Sequence, residues 1–122
     1  MKKGILFGCY DPLHSGHIRL FRACKEYCDY LIVLVHNDNY IRKYKGREPW
    51  GKEEDRAQDI SDITSVDKVV ISDGMDRDRK LKDFGADIHF VSEEVSGIGY
   101  KGEVIRMPRT PNISSTKIRN SQ

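Results

Sequence analysis

The chain begins with short apolar runs separated by amphipathic segments. Residues 4–9 are apolar and bounded by glycines, which predicts a short buried strand. Apolar residues then recur at helical spacing from Ile18 to about Tyr27, which predicts an amphipathic helix. Residues 30–35 form a continuous, partly β-branched run, typical of a parallel strand covered on both faces. This pattern predicts a β-α-β unit.

The alternation continues to the end of the chain. Residues 37–51 are polar and rich in Lys, Arg and Gly, which indicates an irregular loop or a short helix. Beyond them the pattern predicts a helix over 52–63, a strand over 67–71, a helix over 76–84, strands over 87–91 and 102–107, a mobile loop over 92–102 and a final helix over 114–119. We therefore expect an α/β fold: a single domain over residues 1–122, with a Rossmann-like, doubly wound parallel sheet of about five strands and helices on both faces.

Composition narrows the class of protein. The chain is 38% hydrophobic and 33% charged, as expected of a globular domain. Lys and Arg total 21 against 19 acidic residues, so we predict no nucleic-acid binding. No apolar stretch approaches the ~18 residues of a membrane span, and the apolar start is too short for a signal peptide. We expect a cytoplasmic protein without a membrane span.

The cysteines predict a reducing compartment, because their number, three, is odd. Cys24 and Cys28 lie four residues apart on the predicted first helix and so share a face. A zinc site would need further ligands at suitable spacing, and none is evident. We predict buried, inert thiols and no metal site built from the chain's own ligands.

The polar loop after the first strand is the first candidate site. In open α/β sheets, ligands bind beyond the carboxyl ends of the strands, and a helix start attracts phosphate. His14 and His17 lie three residues apart and can face one bound phosphate, while Gly16 leaves room for the phosphate to approach the backbone. Capping or purely helical roles for the two histidines are the alternative. Their position after the first strand of a β-α-β unit favours the site.

The sequence of this loop, Gly8-Cys9-Tyr10-Asp11-Pro12-Leu13-His14-Ser15-Gly16-His17, closely resembles the signature of the cytidylyltransferase-like nucleotidyltransferases. Within that superfamily the chain is most similar to the glycerol-3-phosphate cytidylyltransferases. The resemblance implies in-line attack of a substrate phosphate on the nucleotide α-phosphate, with pyrophosphate expelled and no protein nucleophile. It implies that the two histidines bind the triphosphate and stabilise the transition state. It further implies nucleotide contacts for Gly8, Cys9, Tyr10, Asp11 and Gly16.

Asp11 has an alternative role, which is to hold the histidine loop in shape. The cationic segment 42–47 also has two interpretations, a solvated surface patch or a clamp on phosphates. The resemblance implies a lysine near the triphosphate or the acceptor phosphate, so Lys43 and Lys45 are both candidate catalytic residues. It also implies a nucleotide-binding role for Arg56, and a surface salt bridge to Asp59 is the alternative.

The third candidate segment, residues 108–118, resembles the Arg-Thr-x-Gly-Ile-Ser-Thr-Thr motif that helps the cytidylyltransferases bind CTP. The positions that carry over are Arg109, Thr110, Ser114, Ser115 and Thr116. Asn112 replaces the usual glycine, and Asn is a common non-glycine visitor to left-handed backbone. Residues 90–94 depart from the Gly-Asp-Asp-Trp-like pattern that helps form the family's acceptor pocket. The sequence therefore leaves the acceptor open.

The leading hypothesis is transfer of CMP from CTP to a phosphorylated small alcohol or polyol. Residues 45–49 resemble a stretch of FAD synthetases and heptose-phosphate enzymes, so an adenylyltransferase that uses ATP is the alternative. A non-catalytic nucleotide-binding module is a third hypothesis. A dinucleotide-binding domain is disfavoured because the first turn lacks Gly-x-Gly-x-x-Gly. Mg²⁺ is expected with the triphosphate, without a dedicated protein ligand, and the family resemblance implies a homodimer.

Overall fold

A computed structural model of the chain describes residues 1–92 and 102–108. Within these residues, five strands form one parallel sheet in the order β3-β2-β1-β4-β5. The strands are β1 (Lys3–Gly8), β2 (Tyr30–His36), β3 (Lys68–Ser72), β4 (Ile88–Ser92) and β5 (Glu103–Met107). The chain leaves β1 towards β2 and β3, then crosses back to β4 on the other side of β1. The carboxyl end of β1 is therefore at the switch point, where open α/β sheets bind ligands.

The helical segments connect the first four strands in turn. They are α1 (Ser15–Lys25), α2 (Asp38–Tyr40), a π-helical turn (Ile41–Lys45), α3 (Glu53–Ser61) and α4 (Arg77–Asp83). The segment 37–51, for which the sequence predicts an irregular loop or a short helix, contains α2 and the π-helical turn. The predicted final helix over 114–119 and most of the predicted loop over 92–102 lie outside the described residues.

Helices cover both faces of the sheet. Phe21 of α1 and Ile60 of α3 pack with Val33 of β2 on one face. Leu81 of α4 packs with Leu34 of β2 on the other face. Neighbouring residues of a strand point to opposite faces, so a strand covered on both sides is mainly apolar, as β2 is from Leu31 to Val35. The predicted Rossmann-like fold class is confirmed.

Cys24 and Cys28 are buried thiols, but only Cys24 lies in α1, because the helix ends at Lys25 and not near Tyr27 as predicted. Cys24 is fully buried, and the Sγ of Cys28 donates to its carbonyl oxygen over 3.5 Å. Burial raises the pKa of Cys24 to about 12 and also raises that of Cys28, so both remain protonated at neutral pH. All three cysteines are free.

Among residues 1–92 and 102–108, no helix has the length and apolar character needed to cross a membrane.

Candidate active site

Two histidines cap the start of α1 reciprocally. His14 is the N-cap residue, and its Nδ1 accepts a hydrogen bond of 3.0 Å from the backbone N–H of Gly16. The Nδ1 of His17 accepts in turn from the backbone N–H of His14, over 3.3 Å. The two rings stack with centroids 3.8 Å apart and planes 28° from parallel. The capping role posed as an alternative is thus present, and it also brings both imidazoles together at a helix start after the central strand.

These hydrogen bonds fix the tautomer of each ring. Because Nδ1 is an acceptor, the proton of the neutral imidazole is on Nε2. Burial lowers the pKa of His14. Burial, together with the repulsion that a protonated His14 would exert, lowers the pKa of His17 to about 3, so both rings are neutral at pH 7. The Nε2 of His14 is buried and has no hydrogen-bond partner in the described part of the chain. It supplies an N–H donor for an anion at the helix start.

Tyr10 supports the histidine pair from the core side. Its buried ring lies edge-on to His17, at a centroid distance of 5.1 Å, and to Phe21, at 5.2 Å. A Cβ at Gly8 would lie 2.7 Å from the Tyr10 ring, so this close approach requires a glycine. Tyr10 itself has a φ of 51°, which is rare for a residue with a side chain. The structure thus places the Tyr10 ring in the core, and the predicted nucleotide contacts of Gly8 and Tyr10 stay predictions.

Asp11 ties the histidine loop to the cationic segment. Its carboxylate is 3% exposed and accepts from Arg47 Nη1 at 2.8 Å, Trp50 N at 2.9 Å and Gly51 N at 3.0 Å. Burial raises the pKa of Asp11, but these hydrogen bonds outweigh it and lower the pKa below its ordinary value. The geometry supports the role of holding the loop in shape.

Arg56 is buried, only 4% exposed, and does not pair with Asp59. Its guanidinium donates to the carbonyl oxygens of Cys9 at 2.7 Å and His36 at 2.8 Å, which follow or end the two central strands. It also forms an ion pair of 2.7 Å with Asp38. Arg56 therefore positions the strand ends that carry the site, and its direct nucleotide contact stays a prediction.

The structure separates the two candidate lysines. Lys45 ends the π-helical turn and lines a cavity of about 240 Å³. The Nζ of Lys43 instead lies 5.4 Å from the ring centroid of Tyr44, on the exposed side of the segment. Gly46 follows with a φ of 67°, a left-handed conformation suited to glycine, and ends the turn. Lys45 is therefore the better placed of the two.

The cavity lies at the carboxyl ends of β1, β2 and β4. Its walls are formed by Phe7, Gly8, Cys9, His36, Tyr40, Lys45, Arg77, His89, Phe90 and Val91. His36, His89 and Arg77 were not predicted from the sequence as site residues. The available signal was a histidine within an otherwise mainly apolar strand: His36 ends β2, and His89 is the second residue of β4.

The cavity histidines are neutral. Burial, and then the charge of Arg77, lowers the pKa of His36 to about 4 and that of His89 to about 4. His36 packs on Tyr40 with ring centroids 4.1 Å apart. Its Nδ1 is buried and finds no hydrogen-bond partner within the ranges that the structure covers. Two uncharged imidazoles therefore share a cavity wall with two cations.

Two further features of the site are the predicted CTP-binding residues and the possible metal ligands. The predicted CTP-binding residues Arg109, Thr110, Ser114, Ser115 and Thr116 lie outside the described residues. Among those that are described, no three His, Cys, Asp or Glu side chains are grouped so as to hold a metal ion. The Asp11 carboxylate is engaged by Arg47 and two backbone N–H groups, which leaves it poorly suited to bind Mg²⁺ directly.

Comparison with known proteins agrees with this architecture. The family model described as cytidylyltransferase-like matches residues 5–121. An FAD synthase of Pyrococcus abyssi is 38% identical over 116 residues, which cover 85% of this chain and 78% of that protein. A glycerol-3-phosphate cytidylyltransferase of Staphylococcus aureus is 34% identical over 124 residues, covering 98% and 93%. The crystal structure of a lipopolysaccharide core biosynthesis protein from Thermoplasma volcanium shares the fold, with a TM-score of 0.79 at 23% identity, over 90% of this chain and 98% of that one. The chain belongs to the cytidylyltransferase-like family and is a nucleotidyltransferase.

Proposed function

We propose that this enzyme transfers CMP from CTP to a phosphorylated small alcohol or polyol and releases pyrophosphate. The observation that carries the proposal is the histidine pair that caps α1. It offers an Nε2–H donor at a helix start beyond the central strand. The similarity to the staphylococcal glycerol-3-phosphate cytidylyltransferase, which extends over nearly the whole of both chains, favours this activity. The sequence of residues 109–116 favours CTP as the nucleotide.

The chemistry is an in-line displacement at the α-phosphorus. A phosphate oxygen of the acceptor forms a bond to that phosphorus while the bond to the bridging oxygen breaks, and the electron pair leaves with pyrophosphate. Negative charge grows on the oxygens around the α-phosphorus, where the Nε2–H groups of His14 and His17 donate. Lys45 neutralises phosphate charge from the cavity side. No side chain forms a covalent bond to the substrate.

Mg²⁺ is part of this proposal as a companion of the triphosphate. When bound, it screens the triphosphate and stabilises the leaving pyrophosphate. The donor set fits a metal that is held mainly by phosphate oxygens and water, because Asp11 is already engaged by the cationic segment.

Adenylyl transfer to a flavin or a sugar phosphate is the second candidate. It is favoured by the 38% identity to the Pyrococcus FAD synthase and by the segment Lys45-Gly46-Arg47-Glu48-Pro49. Against a flavin acceptor stands the cavity volume of about 240 Å³, below the ~300–1,000 Å³ common for larger ligands. The non-catalytic alternative is set aside because the chain belongs to a family of enzymes.

The test is pyrophosphate release in the presence of Mg²⁺, with CTP and ATP offered separately. Each nucleotide is paired with glycerol 3-phosphate, phosphocholine, phosphoethanolamine, sugar and polyol phosphates, and FMN. Turnover with CTP and a small phosphorylated alcohol is the expected result. Turnover with ATP alone would replace the proposal with the adenylyltransferase.

A further inference from the structure

We propose that the cavity selects an acceptor that carries a second acidic group in addition to its reacting phosphate, and that Arg77 is the specificity-determining residue that binds this group. The inference rests on the proposed function, because it concerns the acceptor of that reaction. The acceptor site is the cavity at the carboxyl ends of β1, β2 and β4.

The first observation is the unbalanced charge of the cavity wall. Lys45 and Arg77 line it, and none of the described residues that line it is an Asp or Glu. Within residues 1–92 and 102–108, no carboxylate forms an ion pair with either cation. Cations of the surrounding segments are paired, as in Arg42–Glu48, Arg47–Asp11, Arg56–Asp38 and Lys80–Asp73. Among the described residues, the cavity therefore has two positive charges and no carboxylate beside them, an arrangement that suits an acidic ligand.

The second observation is that the two cations lie differently with respect to the cavity. Burial raises the pKa of the Cys9 thiol, and Lys45 is the strongest of the cations that oppose this rise, so Lys45 is close to the strand end that leads into the histidine loop. Arg77 lies 5.4 Å from the ring centroid of Phe7 and, after burial, has the largest effect on the pKa of both His36 and His89. Lys45 also lowers the pKa of His36, but less than Arg77 does, so Arg77 is the cation nearer to the two imidazoles.

On this proposal, Lys45 binds the reacting phosphate and Arg77 binds another group of the acceptor. Its planar guanidinium pairs best with a carboxylate or phosphate, through two parallel hydrogen bonds. The neutral rings of His36 and His89 add hydrogen-bonding groups beside it without adding charge. An acceptor with a cationic end, such as phosphocholine or phosphoethanolamine, would meet like charge there.

The cavity is small and partly open to solvent. At about 240 Å³ it has room for a few carbon atoms and their oxygens, given that a water molecule occupies ~30 Å³ in the liquid. A short chain with phosphate at one end and an acidic group at the other fits both the volume and the two cations.

A matched pair of acceptors tests the inference. 3-Phosphoglycerate and glycerol 3-phosphate have the same length and differ at the end opposite the phosphate, where one has a carboxylate and the other a hydroxymethyl group. We expect kcat/KM with CTP to be at least about tenfold higher for the acid, as one charge-assisted hydrogen-bonded pair would provide. Arg77→Gln should reduce the ratio of the two kcat/KM values by about 10- to 100-fold, because the carboxylate loses its charged partner.

Arg79→Gln is the control. Arg79 lies on the same helix, its side chain is 81% exposed, and it pairs with Asp83 at 3.7 Å, so its loss should leave the ratio unchanged. A wild-type ratio at or below one, or a preference for the acid that survives Arg77→Gln, would overturn the inference and leave the proposed function intact.

Failure of the proposed function has a separate signature, which is the absence of pyrophosphate release with every acceptor. Calorimetric titration of 3-phosphoglycerate alone then decides the inference. Binding by wild type and Arg79→Gln that is weakened at least about tenfold in Arg77→Gln supports it. Equal binding by all three proteins, or binding by none, overturns it.

Discussion

At the scale of single residues, the cap of α1 determines what the histidine pair offers to a ligand. The Nδ1 atoms of His14 and His17 are occupied by backbone N–H groups, so each ring presents its Nε2–H group elsewhere. Stability and chemistry therefore depend on different nitrogen atoms of one side chain. A substitution that keeps the helix cap but removes the Nε2–H donor can separate the two roles.

His14→Ser is that substitution, because serine is a good N-cap but has no second donor. We expect the free energy of unfolding to change by less than about 1 kcal/mol, and pyrophosphate release to fall by about 100-fold or more. Denaturant unfolding and the CTP-dependent assay measure the two quantities. His14→Ala serves as the comparison, since it loses the cap as well. Wild-type turnover by a folded His14→Ser protein would contradict the assigned role.

His36 makes the stability of the fold depend on pH. Its pKa is about 4 in the folded protein and ~6.5 when unfolded, so below pH 6.5 the unfolded chain binds the proton more readily. The free energy of unfolding should thus decrease as the pH falls from 6.5 to 4, by on the order of 2 to 3 kcal/mol from this residue. Denaturant unfolding at pH 7.5 and pH 5 measures the loss.

The control for that measurement is His36→Gln, which retains polarity but does not titrate. It should lose less stability than wild type over the same pH interval, whatever its stability at pH 7.5. His89, with a similarly lowered pKa, is unchanged in this variant and accounts for part of the remaining loss. An equal loss in both proteins would show that His36 is not buried in its neutral form.

At the scale of elements, Asp11 connects the loop that follows β1 with the segment that follows the π-helical turn. We expect Asp11→Asn to cost about 1–3 kcal/mol, because one carboxylate oxygen becomes an N–H donor that faces other donors. Backbone amides of residues 46–51 should exchange hydrogen faster, and the KM for the nucleotide should rise. Hydrogen exchange measured by mass spectrometry, together with steady-state kinetics, tests both effects.

Glu48→Gln is the matched control in the same segment. Glu48 is exposed and forms an ion pair with the half-exposed Arg42, an arrangement that contributes little to stability. If neither Asp11→Asn nor Glu48→Gln changed the rate of amide hydrogen exchange in residues 46–51, the Asp11 carboxylate would not be the group that holds the two loops together.

Two features of the π-helical turn and α3 could not be predicted from the sequence: which lysine faces the site, and the burial of Arg56. The basic composition of residues 42–47 identified the segment as a candidate phosphate site. It did not show whether Lys43 or Lys45 faces the site, since a π-helical turn directs side chains differently from an α-helix. Arg56 lies in the charged run Glu-Glu-Asp-Arg, which is typical of a helix surface. Arg56 is buried because its guanidinium donates to the carbonyl oxygens of Cys9 and His36. These two residues are distant from Arg56 in the sequence, and only the folded sheet brings them close to it.

At the scale of the whole molecule, the apolar runs were sufficient to predict a parallel sheet covered on both faces. Alternation of strands and helices determines that class, because a continuous apolar strand such as β2 is stable only between two helical layers. The cavity was not predicted, because it forms where three strands separated in sequence end side by side. His36 and His89 came together through the strand order alone.

The homodimer stays a prediction at this scale. A chain of 122 residues buries a limited core, and the described surface exposes large apolar side chains, among them Trp50 at 55% and Tyr27 at 54%. We expect sedimentation equilibrium at micromolar concentration to give twice the mass of one chain. The mass of a single chain, unchanged up to tens of micromolar, would contradict the prediction.

The sheet order has a consequence for how this enzyme can change. The histidine pair belongs to the crossover from β1 to β2, whereas Arg77 begins α4 in the crossover from β3 to β4, on the opposite face of the sheet. On the proposed function, the groups that stabilise the transition state and the group that selects the acceptor are thus encoded by separate stretches of the gene. Under the same proposal, a new sequence for the α4 crossover would change the acceptor and keep the phosphate chemistry, so specificity could evolve without rebuilding the histidine loop.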